Sequence, residues 1–117
     1  MTEPTTPQAF TDAVAALVAQ LGEQHLPALD GTPDAKQFNR EQYAIYARSY
    51  GRVNARNYDP DPNIHSDWST VLLGAVYDVV READPTQQRN RLITLAALTQ
   101  AWADDIDRTT TPPTEQP

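Results

Sequence analysis

The chain has no cysteine, which excludes disulfides, thiolate nucleophiles and any zinc site built on sulfur. No apolar run approaches the roughly 20 residues that span a bilayer. The opening MTEPTTPQAF lacks the basic and apolar regions of a secretion signal. Strand signals are missing too, so the expected class is all-α. Basic residues are scarce: 9 Lys and Arg stand against 16 Asp and Glu, a net charge of −7. That balance argues against general nucleic-acid or membrane-surface binding. A length of 117 residues suits one domain with a modest core. A soluble, cytoplasmic protein is the expectation.

The basic charge that is present is concentrated. Residues 1–35 carry only acids, whereas Lys36, Arg40, Arg48, Arg52 and Arg56 face the single acid Glu41 between residues 36 and 56. The rest of the chain is acidic again.

Apolar periodicity places four helices, and prolines mark their starts. Residues 1–5 are expected to be disordered. Thr6-Pro7 opens a helix whose stripe is Phe10, Val14, Leu17, Val18 and Leu21, and Gly22 stops it. Thr32-Pro33-Asp34 repeats the signal for a second helix running to about Arg56. Tyr43, Tyr46, Ala47, Tyr50 and Val53 share one face of it. Arg48, Arg52 and Arg56 lie within about 80° on the other side, with Ile45 among them, while Asn54 interrupts the tyrosine face. Asp59-Pro60-Asp61-Pro62 forces a loop over 57–66, and Ser66 is placed to cap the third helix. Residues 109–117 read as a disordered tail, which leaves a four-helix bundle over residues 6–108.

The third and fourth helices form a hairpin. Trp68, Leu72, Ala75, Val76 and Val79 align on the first arm, and Leu92, Leu95, Ala96, Thr99, Trp102 and Ile106 on the second. At the turn, Asp84 suits an N-cap, Pro85 the first helical position and Gln87 a capping box.

Several motifs run through this frame in order. Gly22-Glu23-Gln24 precedes Pro27 and Asp30-Gly31-Thr32. Trp68 opens a helix with Val71, Leu72 and Leu73, and Glu82-Ala83-Asp84-Pro85 makes an acidic turn. Leu92, Ala96, Ala97 and Trp102 lead to Ile106-Asp107-Arg108. In order and spacing the chain resembles the MazG-like all-α nucleoside triphosphate pyrophosphohydrolases, closest to a small single-domain actinobacterial and phage type. That resemblance implies dimers or tetramers. It also implies magnesium held by Glu-Glu-x-x-Glu on one helix and Glu-x-x-Asp on the next, with water cleaving between the α- and β-phosphates. Those motifs fall here on Gly74, Ala75 and Asp78, and on Arg91 and Thr94. Only Asp78 keeps a carboxylate, and one carboxylate faced by an arginine is a poor magnesium site.

The expected function is therefore that of a catalytically degenerate MazG-like domain, a homodimer or higher oligomer, that binds a nucleotide or a protein. Asp78, Arg91, Glu82 and Trp68 are the ligand-binding candidates. No cofactor is expected. The alternative is an active hydrolase that recruits Asp78, Glu82 and Asp84, or carboxylates of a partner chain, to hold magnesium. A further alternative is a purely structural or interaction protein. Asp78 and Arg91 stand six and seven residues from Asp84 on either side, so they are predicted to meet as a bidentate pair. Breaking that pair singly should cost roughly 2–4 kcal/mol if it is buried.

Other signals have plainer readings. Asp59, Asp61, Asn63, His65 and Asp67 alternate in DPDPNIHSD like the ligands of a calcium loop, but Ile64 and Thr70 stand where an EF-hand needs Gly and Glu. Arg48, Arg52 and Arg56 are anion-binding candidates, although a solvated face or pairing with a neighbouring chain's acidic first helix is the favoured reading. The tyrosine stripe reads as core rather than as a base-stacking surface. His25 and His65 read as surface residues.

Overall fold

The structure is a computed structural model, and it describes residues 7–55 and 67–110. The described residues contain four α-helices: α1 (Pro7–Leu21), α2 (Pro33–Ala55), α3 (Trp68–Val80) and α4 (Pro85–Thr110). The all-α expectation holds. No helix is long and apolar enough to cross a membrane among the described residues. The expectations for residues 1–5, Thr6, the 57–66 connector, Ser66 and the tail beyond Thr110 lie outside the described residues.

The helix boundaries follow from local chemistry. Gly22, at φ +69°, takes the left-handed conformation that ends a helix, and its N–H donates to the Val18 carbonyl at 3.1 Å. Thr32 caps α2 by accepting from the Ala35 N–H at 3.2 Å. The cap of α3 is Asp67, not the expected Ser66. Its carboxylate accepts from the Thr70 N–H at 2.9 Å, while the Thr70 hydroxyl receives the Asp67 N–H at 3.0 Å. Asp67 and Thr70 thus make a reciprocal capping box in which Thr serves where Glu or Gln is usual.

α3 ends at Val80 rather than continuing to the Asp84-Pro85 break. Asp84 precedes a proline and is steered away from helix, and its N–H turns back to Glu82 Oε1 at 3.1 Å. The glutamine that closes this turn is Gln88, not Gln87. Its side-chain amide donates to the carbonyls of Val79 and Glu82, at 3.1 and 3.3 Å, and satisfies acceptors left open at the end of α3.

The chain divides into two compact units, one of Met1–Leu26 with Thr99–Pro117 and one of Pro27–Leu98. In the first, Thr11 of α1 donates its hydroxyl to Gln100 of α4 at 3.5 Å. The expected apolar stripe of α1 faces solvent, with Leu17 55% and Val18 60% exposed. On α4 the predicted stripe is likewise open at Leu92 and Ile106.

The second unit is built on α2 against α3. The helices run antiparallel, because Asn54 meets Thr70, Tyr50 lies over Gly74, and Tyr43 reaches Tyr77. Tyr77 gathers the stripe of α2: its ring centroid lies 6.0, 5.1 and 5.7 Å from those of Tyr43, Tyr46 and Tyr50. The ring of Tyr50 stacks on it at 13°. The buried apolar side chains among the described residues are Ala47 of α2 and Val79 of α3. Small residues make this crossing close. A Cβ built on buried Gly74 would lie 3.2 Å from both Tyr50 Cβ and Asn54 Nδ2.

Candidate functional site

The same small residues that let α2 and α3 approach leave a cleft beside the crossing, entirely within the second unit. It holds about 290 Å³. Gly51 and Ala47 of α2, Gly74 and Ala75 of α3, and Leu98 of α4 form its apolar and backbone walls. Asn54, Asp78, Arg91 and Thr94 are its polar lining. All five positions that correspond to the metal motifs of the resembled family therefore border one space.

The charges in this cleft are already matched. Asp78 Oδ1 accepts from Arg81 Nε at 2.9 Å, and Arg91 Nη1 stands 3.8 Å from the same oxygen. Arg91 is held more closely by Glu82: Nη2 lies 3.1 Å from Oε2, and Nε donates to that oxygen at 3.2 Å. The predicted meeting of Asp78 and Arg91 across the hairpin is present, but as the long arm of a four-member network. No bidentate pair forms. Side-chain exposures of 43% for Asp78 and 30% for Arg91 also leave both groups in contact with water. Glu82 is the more sheltered acid, at 18%. The Asp84 N–H, then Arg91, hold its carboxyl below the usual carboxylate range against the opposing effect of burial.

The remaining candidates separate. Glu82 stands behind Arg91 and does not line the cleft, and neither does Trp68, half-buried at the start of α3. Arg52 is exposed and borders neither this cleft nor its neighbour, whereas Arg48 borders the neighbour. Arg56 lies outside the described residues, as do four of the five alternating residues of the calcium-like loop. The fifth, Asp67, is the helix cap.

Sequence reasoning passed over Arg81, whose i,i+3 spacing from Asp78 is an ordinary helix ion-pair signal. It also treated Asn54 as a blemish. In the structure Asn54 donates to the Thr70 carbonyl at 3.3 Å and accepts from the Thr70 hydroxyl at 3.2 Å, and so ties the end of α2 to the start of α3.

Two arginines around a lone carboxylate do not suit a divalent cation, which needs several oxygen donors and a net negative shell. Among the described residues, no three His, Cys, Asp or Glu side chains converge. The cleft presents instead two neutral polar side chains, Asn54 and Thr94, beside the Asp78–Arg91 pair. No family model, no curated protein and no solved structure matches the chain.

Proposed function

We propose that the chain is a MazG-like domain without a metal-dependent pyrophosphohydrolase site, which binds a nucleotide in the cleft between α2, α3 and α4. The observation that carries this reading is the company of Asp78: Arg81 at 2.9 Å and Arg91 at 3.8 Å occupy the ground that a metal would need. A guanidinium is a fixed cation with a planar set of donors, so it can meet phosphate oxygens without a metal. The competing hydrolase reading calls on Glu82 and Asp84. Both oxygens of Glu82 are engaged, Oε1 by the Asp84 N–H and Oε2 by Arg91, which counts against it.

The test is a thermal-shift screen of nucleotides with and without magnesium, coupled to pyrophosphate release. Stabilisation that is indifferent to magnesium, with no pyrophosphate released, is the expected outcome. Turnover abolished by Asp78→Ala would favour the hydrolase instead.

A second reading, an interaction protein, draws on a separate observation. Val14, Leu17, Val18 and Leu21 of α1 are all exposed, an apolar stripe along one helix of the kind that marks an interaction surface. We infer that the chain self-associates, as the resemblance implies, and that ligand binding and self-association coexist.

A further inference from the structure

The cleft has a neighbour. A second space of about 310 Å³ is bordered by Ala44, Ala47, Arg48, Gly51, Asp78 and Arg81. Ala47, Gly51 and Asp78 border both spaces, so the two adjoin at these residues, as neighbouring lobes of a trough. Their charge differs. The first lobe is lined by Asp78 and Arg91 and sums to zero, and its other polar groups are the neutral Asn54 and Thr94. The second is lined by Arg48, Arg81 and Asp78 and sums to +1. Arg48 is exposed and forms no ion pair among the described residues. Its guanidinium is therefore free to take a new anion without first breaking a bond.

We propose that the trough binds a nucleoside monophosphate in one orientation, with the phosphate in the Arg48–Arg81 lobe and the uncharged nucleoside in the Asn54–Thr94 lobe. This rests on the reading of the cleft as a nucleotide site and adds to it the ligand class and its direction. The charges decide the class. A single phosphate carries about −1.5 to −2 at neutral pH, which one spare arginine and the outer edge of a second can meet. Further phosphoryl groups would add negative charge beside Asp78, in a protein of net charge −7, and the third arginine of the trough, Arg91, is already engaged by Glu82 and Asp78. The preference therefore runs against the triphosphate. Magnesium is not needed for the monophosphate.

The experiment is a titration of the full chain with ribonucleoside monophosphates, the matching triphosphates, nucleosides and inorganic phosphate, in the presence of a chelator. Binding is followed by calorimetry and by backbone amide shifts. The expected order is monophosphate tighter than triphosphate, with shifts at Thr94 and at Arg48. Arg48→Gln removes one exposed charge-assisted contact and should weaken the monophosphate roughly five- to tenfold, while Arg52→Gln, on the same helix and bordering neither lobe, should leave it unchanged. Thr94→Val should weaken nucleoside and monophosphate but not inorganic phosphate. Binding at Thr94 that ignores Arg48→Gln, or a triphosphate that binds more tightly, overturns the orientation and leaves the nucleotide site standing. Failure of every compound in the panel to move Thr94 or Arg91 overturns the nucleotide site itself.

Discussion

Gly74 stands where the proposed MazG-like resemblance would place a metal-binding glutamate, and the packing gives it a task of its own. The hydrogen on its α-carbon faces Tyr50 Cβ and Asn54 Nδ2, each 3.2 Å from where a Cβ would stand. Asn54 has some freedom to turn. Tyr50 Cβ is fixed to the α2 backbone, so any side chain at position 74 must push the helices apart. Helix propensity favours Gly74→Ala by about 1 kcal/mol, and overpacking opposes it by about 1–3 kcal/mol. The expected net is a destabilisation of about 0–2 kcal/mol, read by urea unfolding. Gly74→Glu, a larger side chain at the same close contact, should cost more than Ala does. A raised midpoint for Gly74→Ala would mean that α2 and α3 meet less tightly than described. At the neighbouring Asp78, the long 3.8 Å approach of Arg91 and the partial exposure of both groups set the coupling in the range of an exposed pair, about 0–1 kcal/mol. A double-mutant cycle with Asp78→Asn and Arg91→Gln measures it. Coupling above roughly 2 kcal/mol would restore the buried pair that sequence spacing suggests.

The ends of α3 concentrate the carboxylates that respond to folding. At its start Asp67 is held below the usual carboxylate range, first by the Ser69 hydroxyl and then by the Thr70 N–H. At its end Glu82 is held low by the Asp84 N–H and Arg91. A carboxyl whose folded value is depressed contributes stability that is fully present above the unfolded value of about 4. That contribution is lost as pH falls through the lower folded value. The protein should therefore lose stability below about pH 4, and Glu82→Gln should flatten that loss while lowering stability at neutral pH. Unfolding midpoints taken between pH 3 and 7 test both statements. Asp67→Asn keeps a capping oxygen and should fold nearly as well at neutral pH, whereas Asp67→Ala should lower the midpoint. Equal effects of the two substitutions would remove the capping box from the account.

For the molecule as a whole, the exposed stripe of α1 is the surface on which the proposed self-association rests. Leu17 and Val18, each more than half exposed, lie in a helix whose only acid is Asp12. Replacing both with lysine puts charge into the stripe without touching any residue of the proposed ligand trough. Light scattering should find the native chain associated at high concentration and the double variant shifted toward monomer. A native chain that stays monomeric throughout would count against self-association.

Local chemistry made much of the molecule legible in advance. Three of the four helices begin within a residue of the expected Thr-Pro or Asp-Pro signals, and Gly22 ends α1, because caps, prolines and glycines act within one turn of chain. The tyrosine stripe could be read as packing only in part: period alone puts Tyr43, Tyr46 and Tyr50 on one face of α2, but Tyr46 and Val53 of that face remain exposed. That Tyr77 would receive them was not readable, because the partner of a face is set by the crossing of two helices rather than by either sequence. The same limit applies at the site. Counting residues from Asp84 placed Asp78 and Arg91 at one height, and they do meet. Only the packed side chains decided that Arg81 would take Asp78, that Glu82 would take Arg91, and that Gly51, Gly74 and Ala75 would leave room beside them. Periodicity and caps are properties of a few consecutive residues. Ion-pair choice and cavity shape depend on distances of a few tenths of an ångström between segments far apart in the chain, and these exist only once the helices have packed.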